Sequence, residues 1–419
     1  MRPLILLYFV TSSGIWAQQM STTSSVAQGR CTVAVGVTGN VTIKCLGLDP
    51  SKVRLFNEEF SAQLKVTSEH VKGQPREEQQ AFLTDAAMQY LAFALNYLGD
   101  DDSDANRLKE AEEAYTEALR IRREFVKKYP YLPLVAETLN SLGNLYSITN
   151  RPQKAEEAYT EALQIQRGLA KTNPQVYLPH VAQTLNNVGI LYSDTNRPQK
   201  AEEAYTEALQ LRRQLAKQNP SKYLPDGVAE TLNNLGILYS DTNRPQKAEE
   251  AHLEALQLRR QLAKQNPSKY LPAVAETLNN LGNLYRNTQH PKEAAEAYTE
   301  ALQLRRQLAK EKPQVYLADV ATTLNNLGVL YRDTKRLKEA EEALAEALQL
   351  RRQVAKENPS EYLPDVAQTL NNLGMVYKSE GQNTMAVPFC DEATAIFKQL
   401  AVNNPARYGP ILNSVCRTQ

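Results

Sequence analysis

Residues that carry chemistry are scarce in this chain. Its 419 residues include four histidines and four cysteines. His70, His180, His252 and His290 stand at unrelated places, so they share no site. Cys31, Cys45, Cys390 and Cys416 show no CxxC spacing and no nearby histidine, which excludes the usual zinc-ligand arrangements. GxSxG, P-loop and HExxH sequences are absent. Charge of one sign is missing too, with 48 basic residues against 47 acidic ones. That balance gives no whole-chain field to attract nucleic acid or an anionic membrane. Beyond the first residues, no run approaches the roughly 18 apolar residues that a membrane span requires. The expectation is therefore no enzyme, no cofactor, no metal, no nucleic-acid partner and no membrane span.

What is present is repetition. The stretch Val181 to Pro220 returns almost unchanged at Val228 to Pro267. It returns with drift from Val274, Val320 and Val366, and an earlier copy starts at Val135. Gly143, Gly189, Gly236, Gly282, Gly328 and Gly374 mark the period, with steps of 46, 47, 46, 46 and 46. The one longer step comes from Gly227. A degraded copy precedes them, with Asn96-Tyr97-Leu98-Gly99 in place of LNNLG. A fixed period of about 20–50 residues signals a solenoid or array.

Within one copy, Val181, Leu185, Val188, Leu191 and Tyr192 fall on one face of a helix. Pro179 fits its first turn, where a missing N–H costs nothing. Pro133, Pro225, Pro272 and Pro364 match it, and Ala318 is the exception. Asn196-Arg197-Pro198 reads as a turn. A second helix carries Ala201, Ala204, Tyr205, Ala208, Leu211 and Leu215 on one face and ends at Asn219-Pro220. Each copy is thus a helical hairpin whose apolar face must be hidden by stacking on its neighbours.

Leu185, Val188, Gly189, Tyr192, Ala201, Tyr205 and Ala208 resemble the spaced positions of the tetratricopeptide repeat. The LNNLGxLY core with a second helix running on past Arg213 looks most like the kinesin-light-chain-like subgroup. The resemblance implies an all-α chain, an α-solenoid of antiparallel helical hairpins (a superhelix); outside it, TVAVGVTGNVTIK between Cys31 and Cys45 reads as a small N-terminal β-containing segment. It also implies that the first helix of each hairpin lines a groove for a peptide or partner helix.

The expected organisation is a signal peptide over 1–17 and a disordered linker over 18–30. A small β-hairpin plus helix segment over 31–75 follows, with the helix opening at Asp49-Pro50. An array of about seven hairpins spans 81–405, and a capping helix and tail span 406–419. The opening MRPLILLYFV, with Ala17 before a cleavage point, reads as a secretory signal and predicts a periplasmic or secreted protein. A buried N-terminal strand or helix is the other reading. Cys31–Cys45 and Cys390–Cys416 are the expected disulfides, consistent with an oxidising compartment. For the first pair, two free thiols in a loose segment fit equally well.

Binding is sought on the first helices. Asn96, Asn140, Asn186, Asn233, Asn279, Asn325 and Asn371 each lie three residues before the glycine. An amide offers donor and acceptor, so it can hold a peptide backbone of any sequence. The same ladder can instead tie one hairpin to the next. Four residues after the glycine come Ser147, Ser193, Ser240, Arg286, Arg332 and Lys378, a drift from neutral to basic. That drift favours an acidic partner segment, or else is scatter on a solvated surface. Arg122/Arg123, Arg212/Arg213, Arg259/Arg260, Arg305/Arg306 and Arg351/Arg352 form a basic stripe that acidic residues of the same helix offset. The sequence therefore predicts an exported protein-interaction scaffold. A self-assembling envelope protein is the alternative, since hairpins three and four are nearly identical.

Overall fold

The structure, a computed structural model, describes three short strands and residues 76–104, 107–128, 132–218 and 225–417. The signal-like start, the helix opening at Asp49 and the stretch 72–75 lie outside the described residues. Two compact units, 1–211 and 212–419, divide the chain.

In the first unit β1 (Thr23–Gln28), β2 (Cys31–Gly36) and β3 (Val41–Cys45) pair antiparallel in chain order. Thr23–Gln28 falls in the polar stretch expected to lack structure. Pairing with Cys31–Gly36 gives its backbone groups partners, which composition alone does not foretell. Helices α1 (Arg76–Asp104) and α2 (Leu108–Lys128) form the first hairpin. The second is α3 (Pro133–Ile148) with α4 (Pro152–Thr172), and the third is α5 (Pro174–Asp194) with α6 (Pro198–Gln218).

The second unit takes over within α6. Its hairpins are α7 (Pro225–Asp241) with α8 (Pro245–Gln265), α9 (Pro267–Asn287) with α10 (Pro291–Glu311), α11 (Pro313–Asp333) with α12 (Leu337–Glu357), and α13 (Pro359–Ser379) with α14 (Asn383–Asn403). A short α15 (Pro405–Leu412) follows. The architecture is an α-solenoid of repeated hairpins.

Proline placement corrects the sequence reading. Pro133 does start a helix, and Pro225 is the first described residue of α7. Pro179, Pro272 and Pro364 instead lie inside α5, α9 and α13, which begin five residues earlier at Pro174, Pro267 and Pro359. Each interior proline removes one i→i−4 bond near the start of the helix, a loss the packed helix tolerates. Asn219-Pro220 has counterparts at Asn173-Pro174 and Asn266-Pro267, which are both the end of one helix and the start of the next.

The turn inside the second to seventh hairpins is built the same way. Asn150, Asn196 and Asn243 adopt positive φ, as do Gln289, Lys335 and Gly381 at the matching places. Asparagine and glycine tolerate this left-handed conformation best. The next N–H then reaches back, Arg151 to the Tyr146 carbonyl and Arg197 to that of Tyr192, each at 2.8 Å.

Close helix crossing explains the glycine. A Cβ on Gly189 would stand 2.5 Å from the Tyr205 ring, and one on Gly282 2.5 Å from Tyr298. Ala201, Ala208, Ala294 and Ala301 are fully buried at the same crossings. Leucines and valines of the first helices fill the space between consecutive hairpins, as with Val320, Leu324 and Leu327 against Ala294, Tyr298 and Leu302.

Candidate functional site

The first helices carry the residues singled out for binding. The asparagine three before the glycine is buried at Asn96, Asn186, Asn233, Asn279 and Asn325, and half-buried at Asn140 and Asn371. Asn96 Oδ1 accepts from Arg122 Nη1 of its own hairpin at 3.1 Å, whereas Oδ1 of Asn140, Asn233, Asn279 and Asn325 faces the following hairpin. Asn280 Nδ2 donates to Asn233 Oδ1 at 3.2 Å, Asn326 Nδ2 to Asn279 Oδ1 at 3.1 Å, and Asn372 Nδ2 to Asn325 Oδ1 at 3.0 Å. In the first unit Asn140 Oδ1 accepts from the Thr184 hydroxyl at 3.1 Å and from Asn187 Nδ2 at 3.3 Å. Asn371 Oδ1 accepts from the Cys416 backbone N–H at 2.7 Å. The ladder amides thus hold neighbouring segments through their carbonyl oxygens.

Two turns further on stand the cations. Residues 279, 282, 283 and 286 share one face of α9, since i, i+3, i+4 and i+7 align on a helix. Arg286 is half-buried, and its Nη2 donates to the adjacent Asn287 Oδ1 at 3.3 Å. Arg332 lies at the same place on α11 and pairs with the adjacent Asp333 at 2.9 Å. Lys378 on α13 differs, because its Nζ donates to the Cys416 carbonyl. Beside the glycine, Asn283 Oδ1 accepts from the Tyr298 hydroxyl at 2.6 Å, and Asn144 accepts from Tyr159 at 2.7 Å. Burial raises the hydroxyl pKa of both tyrosines.

Cys390 and Cys416 are bridged, with an S–S distance of 2.09 Å. Cys31 and Cys45 stand opposite each other in the β2–β3 register, and their side chains lie outside the described residues.

The arginine pairs do not form a stripe. The first member of each is buried and crosses to the next first helix. Arg259 Nη1 donates to the Ala273 carbonyl at 2.9 Å and to Thr277 Oγ1 at 2.6 Å. Arg305 does the same to the Asp319 carbonyl and Thr323, Arg351 to Asp365 and Thr369, Arg212 to Gly227 and Thr231, and Arg122 to Leu134 and Thr138. Burial lowers the pKa of Arg122, Arg212, Arg305 and Arg351. The second member is exposed and chelates a glutamate about one repeat on. Arg260 grips both oxygens of Glu300 at 2.6 and 2.7 Å, and Arg306 grips those of Glu346. Sequence reasoning placed these ion pairs within one helix. The partners lie across hairpins, in a register that only the stacking defines.

A second clamp had not been foreseen. Arg197, in the turn, lies 4.4 Å over the Tyr192 ring and pairs with Glu156 of the preceding hairpin at 2.6 Å. Tyr192 also donates to Glu156. The recurrence of Tyr, Glu and the turn arginine was a readable signal. Among the described residues, no three His, Cys, Asp or Glu side chains stand together as a metal site. No helix among them is long and apolar enough to cross a membrane.

Family models described as tetratricopeptide repeat match residues 135–173, 181–220 and 228–267, then 275–308, then 319–399. Together these cover more than half of the chain. It is a tetratricopeptide-repeat protein. A protein from Pyrococcus horikoshii described as a signal transduction ATPase with numerous domains, with a tetratricopeptide repeat sensor, shares the fold. It is 15% identical over 87% of this chain and 50% of its own, with a TM-score of 0.55. BtubC (BKLC) from P. vanneervenii is 26% identical over 60% of this repeat protein and 92% of its own chain, with a TM-score of 0.48. A putative kinesin light chain from Podosopora anserina is 18% identical over 54% and 98%, with a TM-score of 0.41. No curated protein matches the chain. Tetratricopeptide repeats make this protein an interaction scaffold.

Proposed function

We propose that this scaffold is exported and binds an acidic peptide segment along the first helices of α9, α11 and α13. The observation that carries the reading is a contrast between arginines. Arg259, Arg305 and Arg351 are locked into neighbouring hairpins, whereas among the described residues the side-chain hydrogen bonds of Arg286 and Arg332 go to the residue next to them in sequence. A partly exposed pair of this kind contributes about 0–1 kcal/mol, so exchanging it for a ligand carboxylate costs little. The carboxylate then gains a planar two-point donor.

The ladder asparagines take a defined part in this reading. Oδ1 of Asn233, Asn279 and Asn325 serves the next hairpin, so Nδ2 donates to a carbonyl of the bound peptide. Backbone is thereby held without regard to sequence, and the cations select for negative charge. Export is supported by the Cys390–Cys416 bridge, since such bonds persist in oxidising compartments.

The test uses fluorescence anisotropy with labelled ten-residue peptides, acidic or neutral. Acidic peptides are expected to bind about tenfold more tightly at low salt, and the preference should shrink as ionic strength rises. Arg286→Ser with Arg332→Ser, which copies Ser240 of the fourth hairpin, should abolish it. Equal binding of both peptides, or an unaffected double variant, overturns the proposal.

A further inference from the structure

We propose that Asn371 and Lys378 form a clamp for a peptide main chain, filled here by Cys416 of the same chain and closed by the Cys390–Cys416 disulfide. The inference deepens the peptide-binding reading by naming one built slot and what controls it. Seven residues apart on α13, the two side chains lie on one face two turns apart. Asn371 Oδ1 accepts the Cys416 N–H at 2.7 Å, and Lys378 Nζ donates to the carbonyl of the same residue. Both main-chain polar groups of one residue are therefore held, and neither bond reads its side chain. Cys416 is held at φ 52°, the left-handed region, so the slot favours a turn over a straight strand.

Elsewhere in this unit the same oxygen receives a side-chain amide of the following hairpin, as Asn325 does from Asn372. The slot thus takes an N–H from either a side chain or a peptide. Asn371 stays half-buried where Asn325 is buried, so the slot is within reach of solvent.

The disulfide closes it. Cys390 occupies the place of Tyr298 or Tyr205 in other hairpins, sixteen residues after the glycine. A Cβ on Gly374 would stand 2.6 Å from both sulfurs, so the bridge fills the space that a tyrosine ring fills beside Gly282. A dithiol reductant converts the bridge to two thiols and is itself oxidised to a disulfide. The segment after α15 then keeps the two main-chain bonds, Val415 against the core and its turns back to Gly409 and Ile411, without the covalent tie to α14. Release of this segment opens the clamp to a peptide in trans, which makes peptide capture at this position redox-gated.

Two measurements on the full chain test this. The first is hydrogen exchange of the Cys416 amide. Reduction with dithiothreitol should leave partial protection, and Asn371→Ala in the reduced chain should raise exchange about tenfold, the loss of one charge-free hydrogen bond. Protection that vanishes on reduction alone, or that ignores Asn371→Ala, overturns the clamp. The second uses a fluorescein-labelled peptide of residues 411–417 with serine in place of cysteine. Cys416→Pro removes both the N–H and the bridge from the chain's own segment. The labelled peptide should bind this variant saturably, fail on the oxidised natural chain, and lose about tenfold affinity when Asn371→Ala is added. Equal binding to the oxidised chain, or none to Cys416→Pro, overturns the gate. Acidic-peptide binding that depends on Arg286 and Arg332 in the same variants reports separately on the broader reading.

Discussion

Arg305 Nη1 donates to the hydroxyl of Thr323 at 2.6 Å, joining α10 to the next first helix. Arg305 is 7% exposed and Thr323 is fully buried. The bond repeats at Arg259–Thr277, so it belongs to the repeat and not to one hairpin. Its carbonyl partner, Asp319, shares the same Nη1.

Thr323→Val removes the hydroxyl and keeps the shape. The guanidinium then loses an acceptor in a buried site, at a cost of about 1–3 kcal/mol. Thermal or urea melting should show the loss. Replacing Arg306, the exposed neighbour that grips Glu346, by alanine should cost only about 0–1 kcal/mol. Equal effects at both positions would mean that the buried anchor carries no special weight.

One joint lacks the anchor. Gln166 stands where five other hairpins have the first arginine, and its buried Oε1 has no hydrogen-bond partner among the described residues. Thr184, eighteen residues on, donates to Asn140. Gln166→Arg should restore the clamp to Thr184 and raise stability by about 1–2 kcal/mol. A melting temperature unchanged or lowered in this variant would show that the slot cannot hold a guanidinium.

His252 replaces the buried tyrosine of the fourth hairpin, and its Nδ1 is unpaired among the described residues. Burial, helped by the charge of Arg259, pulls its pKa from 6.5 to about 4. The unfolded chain binds this proton between those values and the folded chain does not. Stability from this group is therefore full above pH 6.5 and falls as pH drops towards 4, by an amount on the order of 3 kcal/mol. His252→Tyr should remove that part of the acid sensitivity. The check is denaturant unfolding of both proteins at pH 7 and pH 4, and a stability difference equal at the two pH values would refute it.

The hairpins were legible because their cause is local. Gly189, Ala201 and Ala208 recur where helices cross, and Asn196 recurs where the chain turns. What was not legible depends on register between hairpins. Arg305 and Arg306 look alike in sequence, yet one is buried against Thr323 and the other reaches Glu346 in solvent. Pro179 looks like a helix start because a start is the commonest place for proline. Pro174 five residues earlier takes that role, and the helix runs through. The ladder asparagines could be located but not oriented, since an amide in a sequence does not say which way its oxygen points. Lys378 looked like the end of a basic drift, and only its distance to Cys416 in space set it apart from Arg332.

The last prediction separates the two jobs of the ladder. Asn279 Oδ1 accepts from Asn326 Nδ2 at 3.1 Å, so Asn279→Ala must loosen that joint to some degree. If its Nδ2 also holds a bound peptide carbonyl, the substitution costs a further 1–3 kcal/mol or so of binding, because the carbonyl is left unsatisfied. Arg332→Ala should cost roughly 0–1 kcal/mol, and that loss should fade with added salt while the asparagine's does not. Titrations of an acidic peptide into both variants at two ionic strengths, with melting curves alongside, decide the matter. A lowered melting temperature with unchanged affinity for Asn279→Ala would make the asparagines struts between hairpins. Selection of the partner would then rest on Arg286 and Arg332 alone.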